Sequence, residues 1–319
     1  MNTIEKALKK RQKAASKHVN KIEETKLSSN VFDQLAEQQK SHEESILSNI
    51  KVNEQINDIP EQKIQTNKVI NKSKLIELNL KRLSHQGFLV PDSTNTILNE
   101  EYRQIKRPLL RNIRGKSAHP IENANIIQVT SSLQSEGKTF TAINLALSFA
   151  MEMDFNVLLV DADTIKSSIS KTLFENGKLD GTELGLTNYL SGDVDDLSKI
   201  MLKTNIPKLN ILPAGTRNHM STELLNSEYM EKLITEFSQR YENRIVVMDS
   251  PPMLQTNDSR ILAHKVGQIV FVVEQNKTEQ SVVKNALSLL EPEMVVGLVL
   301  NKSRTTSQSG YYGYYDPTN

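Results

Sequence analysis

Ile126-Ile-Gln-Val-Thr-Ser-Ser132-Leu-Gln-Ser-Glu-Gly137-Lys138-Thr139-Phe140 is the stretch on which the fold turns. Ile126, Ile127 and Val129 make a short apolar strand, a loop follows, and a helical run extends from Phe140 to Met153. The intervening residues fit the phosphate-loop pattern Gly-x-x-x-x-Gly-Lys-Ser/Thr at every fixed position but the first, where Ser132 replaces glycine. The spacing has a chemical reason. Backbone N–H groups of such a loop and of the helix that it opens point at anionic oxygens, Lys138 reaches the β and γ phosphates, and the Thr139 hydroxyl is placed to ligate Mg²⁺. Ser132, Leu133, Gln134, Ser135, Glu136, Gly137, Lys138, Thr139 and Phe140 are therefore the candidate nucleotide-binding residues.

Outward from this loop, two further apolar strands end in acids: Leu158-Leu-Val-Asp161-Ala-Asp163 and Ile245-Val-Val-Met-Asp249-Ser-Pro-Pro252. In an open parallel sheet, ligands gather beyond the carboxyl ends of the strands. Any one of these aspartates can equally be a helix cap. Together, beside a phosphate loop, Asp161, Asp163 and Asp249 read as groups that position Mg²⁺ and water. More strands are predicted at Leu209–Leu212, Ile269–Val273 and Val295–Leu300, with helices over Glu223–Tyr241 and Thr278–Leu290. Strands that are apolar almost throughout, separated by helices, predict a doubly wound α/β domain with a mostly parallel sheet over residues 121–303.

The rest of the 319-residue chain is leaner. Hydrophobic residues make up only 37%, none of the 12 glycines precedes Gly87, and four of the eight tyrosines fall in the last nine residues. Residues 1–75 are expected to be a polar extension, helical or disordered, since apolar residues are too sparse to offset the cost of ordering the chain. Within it, Ile4 to Lys21 carries seven basic residues against Glu5 and reads as a solvated helix or one that lies on an anionic surface. Residues 76–120 form a connector, whose helix starts near Thr94 and is expected to kink or end at Pro108. With no Cys there is no thiolate metal cluster and no Cys nucleophile, so any catalytic metal is expected to be a hard cation held by oxygens. A formal charge of +1 offers no basic field, which argues against nucleic acid as a partner. No apolar run reaches the length of a membrane span, and Met1 to Lys6 lacks the apolar core of a signal peptide. A cytoplasmic protein is expected.

The loop, Asp161-x-Asp163 and Asp249-Ser-Pro-Pro, in this order and spacing, resemble the bacterial tyrosine kinases (BY-kinases), P-loop autokinases of exopolysaccharide export. The resemblance covers residues 97–315. Met1 to Lys10, Glu100 to Leu109 and Gly137 to Ala146 look most like the exosortase-associated subgroup. The resemblance implies ATP and Mg²⁺, with Lys138 and Thr139 in the Walker A motif and Asp161 and Asp163 in the A-prime motif. Asp161 would be the base for a tyrosine hydroxyl and a metal ligand, Thr139 and Asp249 would hold Mg²⁺, and Asn301 would contact the nucleotide base. Lys166, next to Ile165, would stand in for an Arg that many members carry after Asp-x-Asp.

The tail, residues 304–319, carries Ser309-Gly-Tyr311-Tyr312-Gly-Tyr314-Tyr315-Asp316, too short and too glycine-broken to build a core. It resembles the family's autophosphorylated cluster, which makes Tyr311, Tyr312, Tyr314 and Tyr315 the candidate phosphoacceptors. Glu100, Arg103 and Lys106 resemble the family's subunit contact, with Lys at its last place losing the bidentate fork of Arg. On this likeness the partners are further copies of the chain, phosphorylating one another in trans, a membrane-anchored polysaccharide chain-length (co-polymerase) adaptor that brings the kinase to the inner face of the membrane, and a cognate tyrosine phosphatase. Two alternatives stay open at this point: a partitioning-type ATPase, which would carry a second lysine where Leu133 stands, and a nucleotide-binding scaffold without turnover.

Overall fold

The computed structural model describes residues 74–91, 96–116, 119–174, 184–239 and 243–303. The basic segment Ile4 to Lys21 and the tyrosine tail lie outside them. All described residues belong to one compact unit, Val69–Asn319.

The elements, in chain order, are β1 (Leu75–Ile76), α1 (Leu80–His85), α2 (Thr96–Ile113), β2 (Ile126–Ser131), α3 (Lys138–Ala150), β3 (Asn156–Asp161), α4 (Ser168–Leu173), α5 (Leu186–Leu190), β4 (Leu202–Thr204), β5 (Leu209–Leu212), α6 (Ser221–Leu225), α7 (Glu228–Gln239), β6 (Arg244–Asp249), α8 (Asp258–Ala263), β7 (Gln268–Glu274), α9 (Gln280–Leu287) and β8 (Val295–Asn301). The sheet order is β1-β4-β5-β3-β6-β2-β7-β8. Neighbours run parallel throughout, except β4 against β5. The predicted doubly wound, mostly parallel sheet is present.

The central strands are apolar on both faces because both faces are covered. Along β3, Val157 and Leu159 enter one core while Leu158 and Val160 enter the other; β6 divides in the same way into Ile245 and Val247 against Val246 and Met248. One core packs under α1, α2 and α3, the other under α5, α7 and α8. Alternation with period two, apolar at every step, is what a strand between two helical layers requires.

Three expectations change. First, residues 74–113 are part of the domain rather than a connector before it: β1 pairs with β4, and Leu78, Leu83, Leu89, Tyr102 and Leu110 sit in the same core as β3 and α3. A two-residue strand that depends on a distant partner leaves no periodic trace of its own. Second, α2 passes through Pro108 and ends at Ile113. Proline removes one N–H from the ladder but does not end the helix here, and Leu109 and Leu110 just beyond it are buried. Third, the helix expected over Glu223–Tyr241 is two, α6 and α7, separated by Asn226 and Ser227, where Ser227 accepts from Met230 N–H at the start of α7.

Leu83 is fully buried in that shared core. Leu83→Ala is expected to cost about 2–5 kcal/mol, read by urea unfolding of the whole chain. A loss below about 0.5 kcal/mol, the range of a surface site, would place the 74–113 segment outside the core.

Candidate active site

The sheet order puts β3, β6 and β2 side by side, so the ends of these strands converge. Asp161 and Asp249 are register partners on adjacent strands, and β2 delivers the loop Ser132–Thr139 beside them. Asp161 and Asp249 have no exposed surface, and Asp163 has almost none.

Gly137 has φ +95°, and a Cβ there would lie 1.9 Å from Asn301 Nδ2. Only glycine fits both the left-handed turn and the close approach. Ser135 is also left-handed, at φ 66°. Successive turns of this kind aim backbone N–H groups into one concavity. Among the described residues, the N–H groups of Gln134 to Thr139 take no protein acceptor, so they remain available to an anion. The residues following the loop form α3, which is buried almost all round and so anchors the cradle rigidly.

The charged groups close on one another across this cradle. Lys138 Nζ donates to Asp163 Oδ2 at 2.9 Å and lies 3.7 Å from Asp249 Oδ1. Thr139 Oγ1 donates to Asp249 Oδ2 at 2.7 Å. Asp161 accepts from Ile169 N–H at 3.0 Å and from Asp163 N–H at 3.3 Å, which fixes its carboxylate between the A-prime loop and the start of α4. Two of the three buried carboxylates thus contact one ammonium. Burial raises the Asp161 carboxyl well above the usual carboxylate range, and Asp249 beside it raises it further, against the Ile169 N–H bond. Burial likewise pushes Asp249 up to about 6, although Lys138 and the Thr139 hydroxyl oppose this. For Lys138, burial works against the charged form, but Asp249 and Asp163 outweigh it and hold the pKa above the ordinary lysine value.

Asp249 Oδ1 is buried without a hydrogen-bond partner, beside a threonine hydroxyl and two further carboxylates. This is a hard-oxygen set that suits Mg²⁺. Among the described residues no group of three His, Cys, Asp or Glu side chains forms a self-sufficient metal cage.

A cavity of about 290 Å³ opens on the loop, lined by Gln134, Gly137, Lys138, Thr139, Lys166 and Ser168 among others. Lys166 therefore borders the cavity on the loop, while Ile165 is exposed. A larger cavity of about 820 Å³ lies between α2 and β7–β8. It holds none of the charged groups above, whereas Lys138 lines the smaller one. Ser168 and Thr172, which line the smaller cavity, were not singled out in the sequence. Their signal was available only as proximity to the Asp-x-Asp turn.

Asn301 Nδ2 donates to Glu136 O at 2.9 Å, so this side chain lies against the loop backbone. Glu100 and Arg103 pair with each other at 2.8 Å on the outer face of α2. Lys106 does not join them. It is buried, donating to Ser148 O at 2.9 Å and pairing with Glu152 at 2.6 Å, because the face of α2 formed by Tyr102, Lys106, Leu109 and Leu110 docks on α3. As an intermolecular contact, Lys106 is corrected to an internal one. The four tail tyrosines lie outside the described residues, as does any contact that they make. No described helix is long and apolar enough to cross a membrane.

Comparison with known proteins follows the geometry. Residues 124–287 match the AAA domain family. The chain is 33% identical over 224 residues to the tyrosine-protein kinase CpsD of Streptococcus agalactiae, covering 69% of this chain and 94% of that one. It is 31% identical over 231 residues to the tyrosine-protein kinase YwqD of Bacillus subtilis, covering 71% of this chain and 90% of that protein. Among solved structures, the kinase domain of the Escherichia coli tyrosine kinase ETK matches with a TM-score of 0.52 at 25% identity, over 67% of this chain and 80% of that one.

Proposed function

The chain belongs to the bacterial tyrosine-protein kinases, and from that premise we propose that it moves the γ-phosphoryl group of ATP onto Tyr311, Tyr312, Tyr314 and Tyr315 of a neighbouring copy. The observation that carries this reading is the pairing of Lys138 with Asp163 and of Thr139 with Asp249 at the mouth of an anion-binding loop. In the transfer, a tyrosine oxygen attacks the γ phosphorus, the bond to the β–γ bridging oxygen breaks, and ADP leaves. Lys138 turns from Asp163 to the β and γ phosphates. Asp161 accepts the phenolic proton, which a phenol with a pKa near about 10 does not release unaided at neutral pH. Thr139, Asp249 and Asp161 would supply oxygens for Mg²⁺, which when bound would neutralise charge developing on the phosphates. Most of the rate comes from positioning and charge neutralisation.

In the cell, this activity regulates exopolysaccharide synthesis and export. The kinase works in the cytoplasm at the inner face of the membrane, held there by a membrane-anchored chain-length adaptor, with a tyrosine phosphatase reversing the modification. Glu100 and Arg103 contribute to the contact between copies, and Asn301 borders the nucleotide base. Each phosphate adds about −1.5 to −2 charges to the tail, so a fully modified cluster repels itself and any acidic surface that it was docked on.

The test is incubation of the full chain with ATP and Mg²⁺, probed for phosphotyrosine and for released phosphate. Wild type is expected to label strongly, and a variant with all four tail tyrosines changed to Phe is expected to lose most of that label while still binding nucleotide. Phosphate release without phosphotyrosine would mark an ATPase, and nucleotide binding with neither product would mark a scaffold.

A further inference from the structure

Glu136 is the oddity of the loop. A carboxylate two residues before Lys138 in a triphosphate cradle opposes the ligand by like charge unless something holds it aside. Here it is 2% exposed and does not border the cavity on the loop. Its oxygens face three donors instead. Leu133 N–H donates to Oε2 at 2.6 Å, which closes the loop on itself, and the Thr278 hydroxyl donates to Oε1 at 2.5 Å, with Glu274 N–H at 3.4 Å. Thr278 lies in the turn between β7 and α9, so the contact ties the loop to a different part of the sheet. The loop backbone is gripped from the same side: Asn301 donates to Glu136 O, and Lys302 Nζ donates to Ser135 O at 2.6 Å while pairing with Glu274 at 3.1 Å.

We propose that Glu136 is a positioning residue for the nucleotide, its buried carboxylate clamped by Thr278 so that the loop is held in its phosphate-receiving shape and the negative charge stays behind it. Glu136 touches no phosphate. It draws the Leu133 N–H inward and leaves the N–H groups from Gln134 onward facing the ligand. When the Thr278 hydroxyl is removed, a buried carboxylate loses a charge-assisted bond, and the side chain is free to turn toward the cradle, where it repels the β and γ phosphates. The inference rests on the reading of this loop as the nucleotide site, but not on what the nucleotide is used for.

The experiment measures the dissociation constant of N-methylanthraniloyl-ADP with Mg²⁺ for full-length wild type, Thr278→Val, Thr278→Ser and Glu136→Gln, alongside kcat and KM for ATP in the phosphotyrosine assay. Thr278→Val and Glu136→Gln are expected to weaken ADP binding and raise KM about tenfold, the scale of one lost charge-assisted bond, with kcat at saturating ATP changed less than about threefold. Thr278→Ser keeps the hydroxyl and is expected to bind within about twofold of wild type. The proposal is overturned by Thr278→Val binding ADP as wild type does, by Thr278→Ser being as impaired as Thr278→Val, or by a loss confined to kcat. Should Glu136→Gln fail to fold, the Thr278 pair decides the question. A wild type that binds ADP yet yields no phosphotyrosine would sink the kinase reading and leave this inference standing.

Discussion

Lys138→Met is expected to lower phosphotyrosine formation about 10³-fold or more, the scale seen when a cation at a transferring phosphoryl group is lost. The structure adds a second, separable effect. Lys138 is the ammonium in contact with two buried carboxylates, at 2.9 Å from Asp163 and 3.7 Å from Asp249. Removing it leaves those charges uncompensated in a site almost closed to water, so the nucleotide-free variant is expected to melt lower than wild type. The double variant Lys138→Met/Asp163→Asn removes one of the orphaned charges. It should recover part of the lost melting temperature and none of the activity. If the double variant melts no higher than Lys138→Met alone, the charge balance assigned to this site is wrong; if Lys138→Met retains transfer, so is the role of the loop.

Asp161→Asn is expected to behave in the opposite way toward stability: transfer falls about 10²- to 10⁴-fold, the contribution of a general base, while the folded protein gains. The sign follows from the direction of the pKa. Asp161 titrates higher in the folded chain than in the unfolded one, because burial and Asp249 both disfavour its charge. Below about pH 4 both states hold the proton and the site costs nothing extra. As pH rises from there toward the folded pKa, the unfolded chain releases its proton first and stability falls. Asp249 acts in the same direction over the window from about 4 to the value near 6. Asparagine carries no charge to bury and keeps an oxygen for the Ile169 N–H. Thermal unfolding of the nucleotide-free protein between pH 4.5 and 8 should show Asp161→Asn more stable at the alkaline end, by about 2–4 °C for each kcal/mol, with the difference shrinking toward the acid end. A variant that is less stable than wild type at pH 8 would mean that Asp161 is compensated by a partner not identified above.

The two expectations share one physical cause. Three buried carboxylates around one ammonium leave an excess of negative charge that the protein alone does not cancel. A divalent cation bound with the nucleotide would supply what is missing, so that ligand binding would relieve a cost already present in the fold. Active sites are where such perturbed groups concentrate.

Much of this was legible in the residue order. The strand–loop–helix around Lys138 and the acidic strand ends at Asp161 and Asp249 are local patterns, each complete within some fifteen residues, and local patterns survive the loss of tertiary context. Lys106 was misread for the converse reason. The family resemblance put it in line with Glu100 and Arg103, but whether a helical residue three places on faces solvent or a neighbouring helix depends on where that helix docks, and Tyr102 and Leu110 turn it onto α3. Residues 76–120 were assigned to a connector because the core residues there are few and scattered; they find partners on β4, α3 and β3 that lie far along the chain. Pro108 did not end α2, whose next residues, Leu109 and Leu110, are buried in the core.

The sequence by itself determined a parallel α/β domain with a phosphate loop, because apolar strands and a Gly-Lys-Thr turn follow from backbone sterics and the hydrophobic effect whatever surrounds them. Only the tertiary structure decided which charges face one another. Asp161 and Asp249 become register partners through the order β3-β6-β2, and the Glu136 carboxylate meets Thr278 across 142 positions of chain. Electrostatic energies depend on distance and burial, which no local stretch of sequence contains.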